Sequence, residues 1–196
     1  MLEYENKQTM IDLLKMRKKL NIPTWITSWG YSMLPLIFNG SKVWITPPAK
    51  EVRPGTVLVF EVEGNLLIHR LVKIIRKDGK VLYQTKGDNV FYRDIMIDAV
   101  NILGIVKRIK RKESKREILL RQNTVLSRLI SIISYREHKI HVLTYDCTKY
   151  KKYFIDALKY FFKMVIWLLS YIELALLMGF NRLTPEMGGL KSKKGV

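Results

Sequence analysis

Residues 54–75 read PGTVLVFEVEGNLLIHRLVKII. Two runs rich in β-branched and apolar residues, 56–62 and 66–75, are separated by Gly64-Asn65 and preceded by Pro54-Gly55. Runs of this kind between Gly and Pro punctuation read as strands joined by a turn. The pattern continues on both sides. KVWIT at 42–46 and KVLYQTK at 80–86 are further strands, with breaks at Asn39-Gly40, Pro47-Pro48 and Asp78-Gly79. Asp-Gly between two such runs is a strong hairpin signal. Short strands at close spacing predict a small, mostly antiparallel β domain, a partly open barrel or a sandwich.

Helical patterns flank this region. In residues 1–20, Met10, Ile11, Leu13, Leu14 and Leu20 mix with Asp12, Lys15, Arg17 and Lys18 at helical spacing, and Asn21 and Pro23 close the segment. It holds no apolar run of signal-peptide or membrane length. Residues 118–134 and, more strongly, 153–180 are helical and apolar. Between 164 and 180 only Ser170, Tyr171 and Glu173 interrupt the hydrophobic residues. The expected organisation is an N-terminal helix over 1–22, a β domain over 23–110, and a basic helical C-terminal appendage over 111–196 that contains the hydrophobic helix 153–180.

The 196 residues hold 35 Lys and Arg against 17 Asp and Glu, a net charge of +18. With 48% hydrophobic and 27% charged residues, the chain is neither disordered nor a polytopic membrane protein. One Cys excludes an internal disulfide framework, and three His leave little for a His-built metal site. Neither a metal nor a cofactor is expected. Such a charge first suggests an anionic partner, nucleic acid or an acidic membrane. Its distribution favours the membrane. Residues 1–106 carry 15 basic and 10 acidic residues, whereas 107–196 carry 20 and 7, so the excess sits in the helical, partly apolar half. It begins with KRIKRKESKREILLR at 107–121, which reads as a solvated linker or helix face, or as a patch for anionic lipid or nucleic acid.

Three short pieces of the β region bear on chemistry: Gly30-Tyr31-Ser32-Met33-Leu34-Pro35, then Ile68-His69-Arg70, then Lys86-Gly87-Asp88-Asn89 with Asp94 beyond it. Singly, each has an ordinary structural reading as a turn, a core histidine or a loop. Together they supply what nucleophilic catalysis needs. A serine hydroxyl requires a positioned base, and imidazole titrates near neutral pH. A carboxylate can fix the imidazole tautomer. Within the strand, Leu67, His69 and Leu71 share one face and Ile68, Arg70 and Val72 the other, so His69 sits among apolar neighbours.

The set, its order and its spacing resemble the type I signal peptidases and the related LexA-like self-cleaving repressors, the S24/S26 superfamily. Ser32-Met33 with Pro35 matches the nucleophile segment. His69-Arg70 matches the Ser-His type found in the endoplasmic-reticulum and archaeal signal peptidases, where other members use a lysine base. Lys86-Gly87-Asp88-Asn89, with Asp94 six positions beyond Asp88, matches the later motif. The resemblance covers about 80 of 196 residues. Two departures fall at turns: Gly40-Ser41 and Gly55-Thr56 stand where the family has Gly-Asp.

The resemblance implies a serine endopeptidase that removes a leader or signal peptide from a precursor. It implies Ser32 as nucleophile, His69 as base and Asp94 as the acid that orients His69, with Asp88 the competing candidate. Gly30, Met33 and Pro35 would border the substrate, Gly30 by allowing close backbone approach. Trp25 and Trp29 line the groove or pack in the core. The backbone N–H of Ser32 is the expected oxyanion donor. A LexA-like self-cleaving regulatory module is the alternative, but residues 1–20 hold too little for a helix-turn-helix. A non-enzymatic basic membrane- or nucleic-acid-binding protein is a further one, and it leaves the three motifs unexplained.

Residues 153–180 have three readings: an interfacial helix with Lys159, Lys163 and Glu173 near water, a short transmembrane span, or a helix buried against 118–134. The expected partners are a precursor peptide or protein and an anionic membrane surface, with nucleic acid not expected. Without an exporting N-terminal segment, the expected location is the membrane, with the catalytic domain on its cytoplasmic face. Basic residues on both sides, Lys149, Lys151 and Lys152 before and Arg182, Lys191, Lys193 and Lys194 after, give a span no orientation. Cys147 reads as an incidental thiol, and His138 and His141 as exposed residues outside any site.

Overall fold

The computed structural model describes residues 2–48, 52–114, 116–121, 124–143 and 149–183. Cys147, Lys191, Lys193 and Lys194 lie outside them. The chain forms α1 (Leu2–Lys19), then β1 (Thr24–Thr27), β2 (Lys42–Thr46), β3 (Val57–Val62), β4 (Asn65–Lys77), β5 (Lys80–Lys86), β6 (Ile97–Asp98), β7 (Ile102–Lys110) and β8 (Glu117–Leu119). Two helices follow, α2 (Val125–Leu143) and α3 (Lys149–Leu183).

The eight strands make one antiparallel sheet in the order β1-β2-β7-β3-β4-β5-β6, with β8 added to β7. The fold is mostly β, as the sequence predicts, and the sheet stays open rather than closing into a barrel. Strands β2 and β5 occupy the residues expected of them. Asp78-Gly79 turns β4 into β5 with φ of 50° and 72°, the two positive angles of a type I′ hairpin. The β3–β4 turn falls on Glu63-Gly64 (φ 50° and 74°), one residue earlier than the Gly64-Asn65 break in the sequence. This register seats Gly at the second left-handed position and pairs Val62 with Asn65.

The basic run at 107–121 is not a linker or a helix face. Its start completes β7 and its end forms β8, with Arg108 pairing Leu119 across the ladder. The physical reason is an open edge. Strand β3 pairs with β7 only from Ile102 to Ile105, so the far end of β7 needs another partner. The helix expected from 118 therefore starts at Val125.

Apolar residues on the two sheet faces form two cores. Leu58, Phe60, Leu71 and Tyr83 belong to one. Val43, Val57, Val59 and Val106 belong to the other, where Leu14 of α1 and Leu174 and Leu177 of α3 join them. Helix α3 thus packs on the sheet and on α2. Its buried positions, Ile166, Ser170, Glu173, Leu174 and Leu177, recur at three- and four-residue steps. The opposite side exposes Phe161, Met164, Trp167, Leu168 and Tyr171. By length and composition, Ile155–Gly179 is apolar enough to cross a membrane.

Candidate active site

Ser32 opens a turn whose following residues anchor it. Met33, Leu36 and Ile37 are buried in the core, and Ile37 N–H donates to Met33 O at 3.0 Å, leaving Ser32 half-exposed at the rim. Gly30 precedes it with φ +98°, a conformation that suits glycine. A Cβ there would meet nothing within 4 Å, so the requirement is the backbone angle and not the close approach expected from the sequence. Gly30 N–H donates to the Asn39 side chain at 2.9 Å.

His69 lies on β4, opposite Leu58, and is 6% exposed. Its ring meets Phe60 edge-on at 6.1 Å. Nε2 stands 2.9 Å from Ser32 Oγ, and Nδ1 stands 2.8 Å from Asp94 Oδ2. Asp94 is held in turn. Its Oδ2 accepts from Thr85 Oγ1 at 2.7 Å, its N–H donates to Thr85 O at 3.0 Å, and Gln84 Nε2 donates to its carbonyl. No local pattern points to Thr85, a common residue in a strand whose role appears only when the chain returns at Asp94.

Asp88 is not in this contact set. It is buried and forms a two-pronged pair with Arg70: Nε donates to Oδ1 at 2.9 Å and Nη2 to Oδ2 at 2.8 Å. Arg70 also donates to Glu173 Oε2 of α3 at 2.9 Å and to Gly55 O at 3.2 Å. Burial works against the guanidinium charge, and the two carboxylates more than offset it, so Arg70 is held protonated beyond its ordinary range. Lys86, also fully buried, meets Glu137 of α2 at 2.6 Å. Lys163 of α3 donates to the carbonyls of Asp88 and Val90 at 3.3 and 2.6 Å and pairs with Glu137 at 3.3 Å. Burial, then the charge of Lys86, lower the Lys163 ammonium to about 8.

These contacts overturn one expectation. Glu173 and Lys163 do not face water. Two buried cations on the sheet, Arg70 and Lys86, require carboxylates, and the helices supply them. Glu173 was visible in the sequence as the one acid in an apolar stretch. His138 and His141 are half-buried rather than exposed. His138 Nδ1 accepts from Arg93 N–H at 3.2 Å, and His141 stacks on Phe91 at 5.7 Å.

The loop 87–89 closes against the serine. Asn89 N–H donates to Ser32 O at 2.7 Å, and Asn89 Nδ2 to Tyr31 O at 3.1 Å. A Cβ on Gly87 would lie 2.7 Å from Ser32 O and 3.0 Å from His69 Nε2, so only glycine fits. Beside Ser32 and His69 opens a cavity of about 940 Å³, walled by Met10, Ile26, Trp29, Met33, Leu66 and Ile68. Met33 and Gly30 border it. Pro35, joined to Leu34 by a cis peptide bond, is buried and does not line it. Trp29 lines the cavity, whereas Trp25 packs on Trp44 at 5.3 Å.

One family profile, described as Peptidase S24-like, matches residues 3–107. The chain is similar to the signal peptidase complex catalytic subunit sec11 of Dictyostelium discoideum, with 36% identity over 61 residues. That match covers 30% of this chain and 34% of the relative. No solved structure matches the chain.

Proposed function

The chain belongs to the peptidase S24-like family, and from that premise we propose that it is a serine endopeptidase of the signal peptidase type, which removes a leader or signal peptide from a precursor. The observation that carries this reading is His69 standing between Ser32 Oγ at 2.9 Å and Asp94 Oδ2 at 2.8 Å. In the proposed reaction Ser32 Oγ attacks the scissile carbonyl while His69 Nε2 takes its proton. The carbon–nitrogen bond then breaks, and the imidazolium returns that proton to the leaving amine. Water enters by the same route in reverse: His69 takes its proton, the hydroxyl oxygen attacks the acyl carbon, and Ser32 leaves with the proton restored. Asp94 holds Nδ1–H toward itself throughout and stabilises the imidazolium. The backbone N–H of Ser32 is the proposed oxyanion donor.

The cavity supports the proposed substrate. Its walls are largely apolar, and Ile26, Thr27 and Ser28, from the outermost strand β1 and the residue after it, line it. An extended apolar peptide, the chemistry of a leader sequence, suits that combination. The proposed second partner is an anionic membrane surface, met by the outer side of α3. Phe161, Met164, Trp167, Leu168 and Tyr171 are exposed there, in the half of the chain with 20 basic and 7 acidic residues.

The test is co-expression with candidate leader-bearing precursors, with products read by mass. The wild type is expected to cleave at a defined bond, and Ser32→Ala, equally folded, to leave the precursor whole. Cleavage by folded Ser32→Ala would remove Ser32 from the nucleophile's role.

A further inference from the structure

We propose that Glu173 of α3 and Glu137 of α2 are positioning residues of the active site, holding the Gly87–Asn89 loop against Ser32 and His69 through Arg70 and Lys86. This rests on the peptidase reading above for its kinetic consequence, though not for its structural one.

Residues 87–89 follow β5 and make the closest contacts to the nucleophile's backbone: Asn89 N–H reaches Ser32 O at 2.7 Å, and Gly87 leaves no space for a methyl group beside Ser32 and His69. A shift of this loop by an ångström therefore moves Ser32 relative to His69. Misplacement on that scale is enough to cost about 10²-fold in rate.

The loop is fixed by charge. Lys86, at its start, and Arg70, which grips Asp88 within it, are both fully buried. The sheet and loop supply Asp88 as the only carboxylate that pairs with either among the described contacts; the other two, Glu137 at 2.6 Å and Glu173 at 2.9 Å, come from the helices. Arg70 and Glu173 are 103 positions apart. Lys163 adds a direct grip on the loop backbone at Asp88 O and Val90 O. Buried charges are far costlier to leave unpaired than exposed ones. Removing Glu137 thus leaves Lys86 without its carboxylate, and removing Glu173 leaves Arg70 with Asp88 alone, so that in either case the buried charge beside the loop is no longer balanced. Neither glutamate touches the reacting atoms, so their effect must pass through position.

The experiment uses the full chain and the variants Glu173→Gln, Glu137→Gln and Glu173→Asp, with Glu117→Gln on the exposed strand β8 as the control. The substrate is one peptide selected from a random library because the wild type cleaves it and Ser32→Ala does not. The two Gln variants are expected to lose about 10²-fold in kcat with KM nearly unchanged, and Glu173→Asp, which keeps the charge, to recover part of the loss. Hydrogen exchange at the Asn89 amide is expected to quicken roughly tenfold in the Gln variants, while amides of β3 keep their protection. Wild-type kcat together with wild-type protection at Asn89 in the folded Gln variants would overturn the proposal. So would a loss of kcat that merely tracks global unfolding. If Glu173→Gln does not fold, Glu173→Asp and Glu137→Gln carry the same readouts. Should the wild type cleave no peptide, the peptidase reading fails, and exchange at Asn89 still decides this one.

Discussion

Asp94 Oδ2 meets His69 Nδ1 at 2.8 Å, on the opposite side of the ring from the Nε2 that faces Ser32 Oγ at 2.9 Å. In the proposed mechanism Nδ1–H is directed at the carboxylate, and Nε2 carries the lone pair that Ser32 needs as nucleophile. Asp94→Asn preserves the shape but presents an amide whose N–H favours the opposite tautomer. Peptide cleavage is expected to fall by about 10⁴-fold, with the circular dichroism spectrum unchanged. A loss below tenfold would show that Asp94 does not set the tautomer.

Gly87 is the tightest point of the site. Gly87→Ala puts a Cβ 2.7 Å from Ser32 O and 3.0 Å from Ser32 Cβ, closer than such atoms can approach. The backbone must separate, and the Ser32–His69 contact opens with it. Cleavage is expected to drop by about 10²-fold or more, a larger loss than Gly79→Ala produces at the exposed β4–β5 turn. Equal activity in the two variants would argue against the tight contact.

Lys163 makes stability depend on pH in a particular window. Its ammonium is lowered to about 8 in the fold, by burial and then by Lys86, from an ordinary 10.5. Below the folded value both states hold the proton, and above the unfolded value neither does. Between them the unfolded chain binds more protons, so this group's contribution to stability rises with pH from about 8 to 10.5. Urea denaturation of wild type and Lys163→Met across that window is expected to show a rise in the wild type relative to the variant. Parallel curves would contradict it.

The proposed contact between the outer side of α3 and an anionic membrane has a direct test. Binding to vesicles with acidic headgroups is expected to weaken with salt and to exceed binding to neutral vesicles. Trp167→Glu with Leu168→Glu alters two exposed positions, 46% and 53% accessible, and leaves the buried side intact. Sedimentation with vesicles is expected to show binding weakened by about tenfold or more. Unaltered binding would assign the contact to another surface.

Sequence patterning reached the strands at 42–46 and 80–86 because each is a β-rich run bounded by turn residues. It missed β7 and β8 because residues 102–106 are a continuous apolar run without alternation, because Lys and Arg crowd the residues that follow, and because the need for β8 arises from where β3 stops pairing. The resemblance to the signal peptidases brought Ser32, His69 and Asp94 forward as one group, while leaving Asp88 open as a rival. What separates the two acids is the Arg70 guanidinium, which occupies both Asp88 oxygens. The helical carboxylates were legible as residues but not as partners. Nothing local to Glu173 reveals a guanidinium 103 positions earlier.

Helix α3 joins unlike surfaces, and this governs how the chain can be shortened. Deleting the C-terminal helices to gain a more soluble fragment removes the apolar outer residues together with Glu137, Lys163 and Glu173. Such a fragment would retain Ser32, His69 and Asp94 but hold Arg70 and Lys86 with Asp88 as their one remaining carboxylate among the contacts described. Better handling in solution is therefore to be sought by replacing outward residues such as Met164 and Leu168 on an intact helix. Truncation trades a solubility problem for a charge problem placed next to the serine.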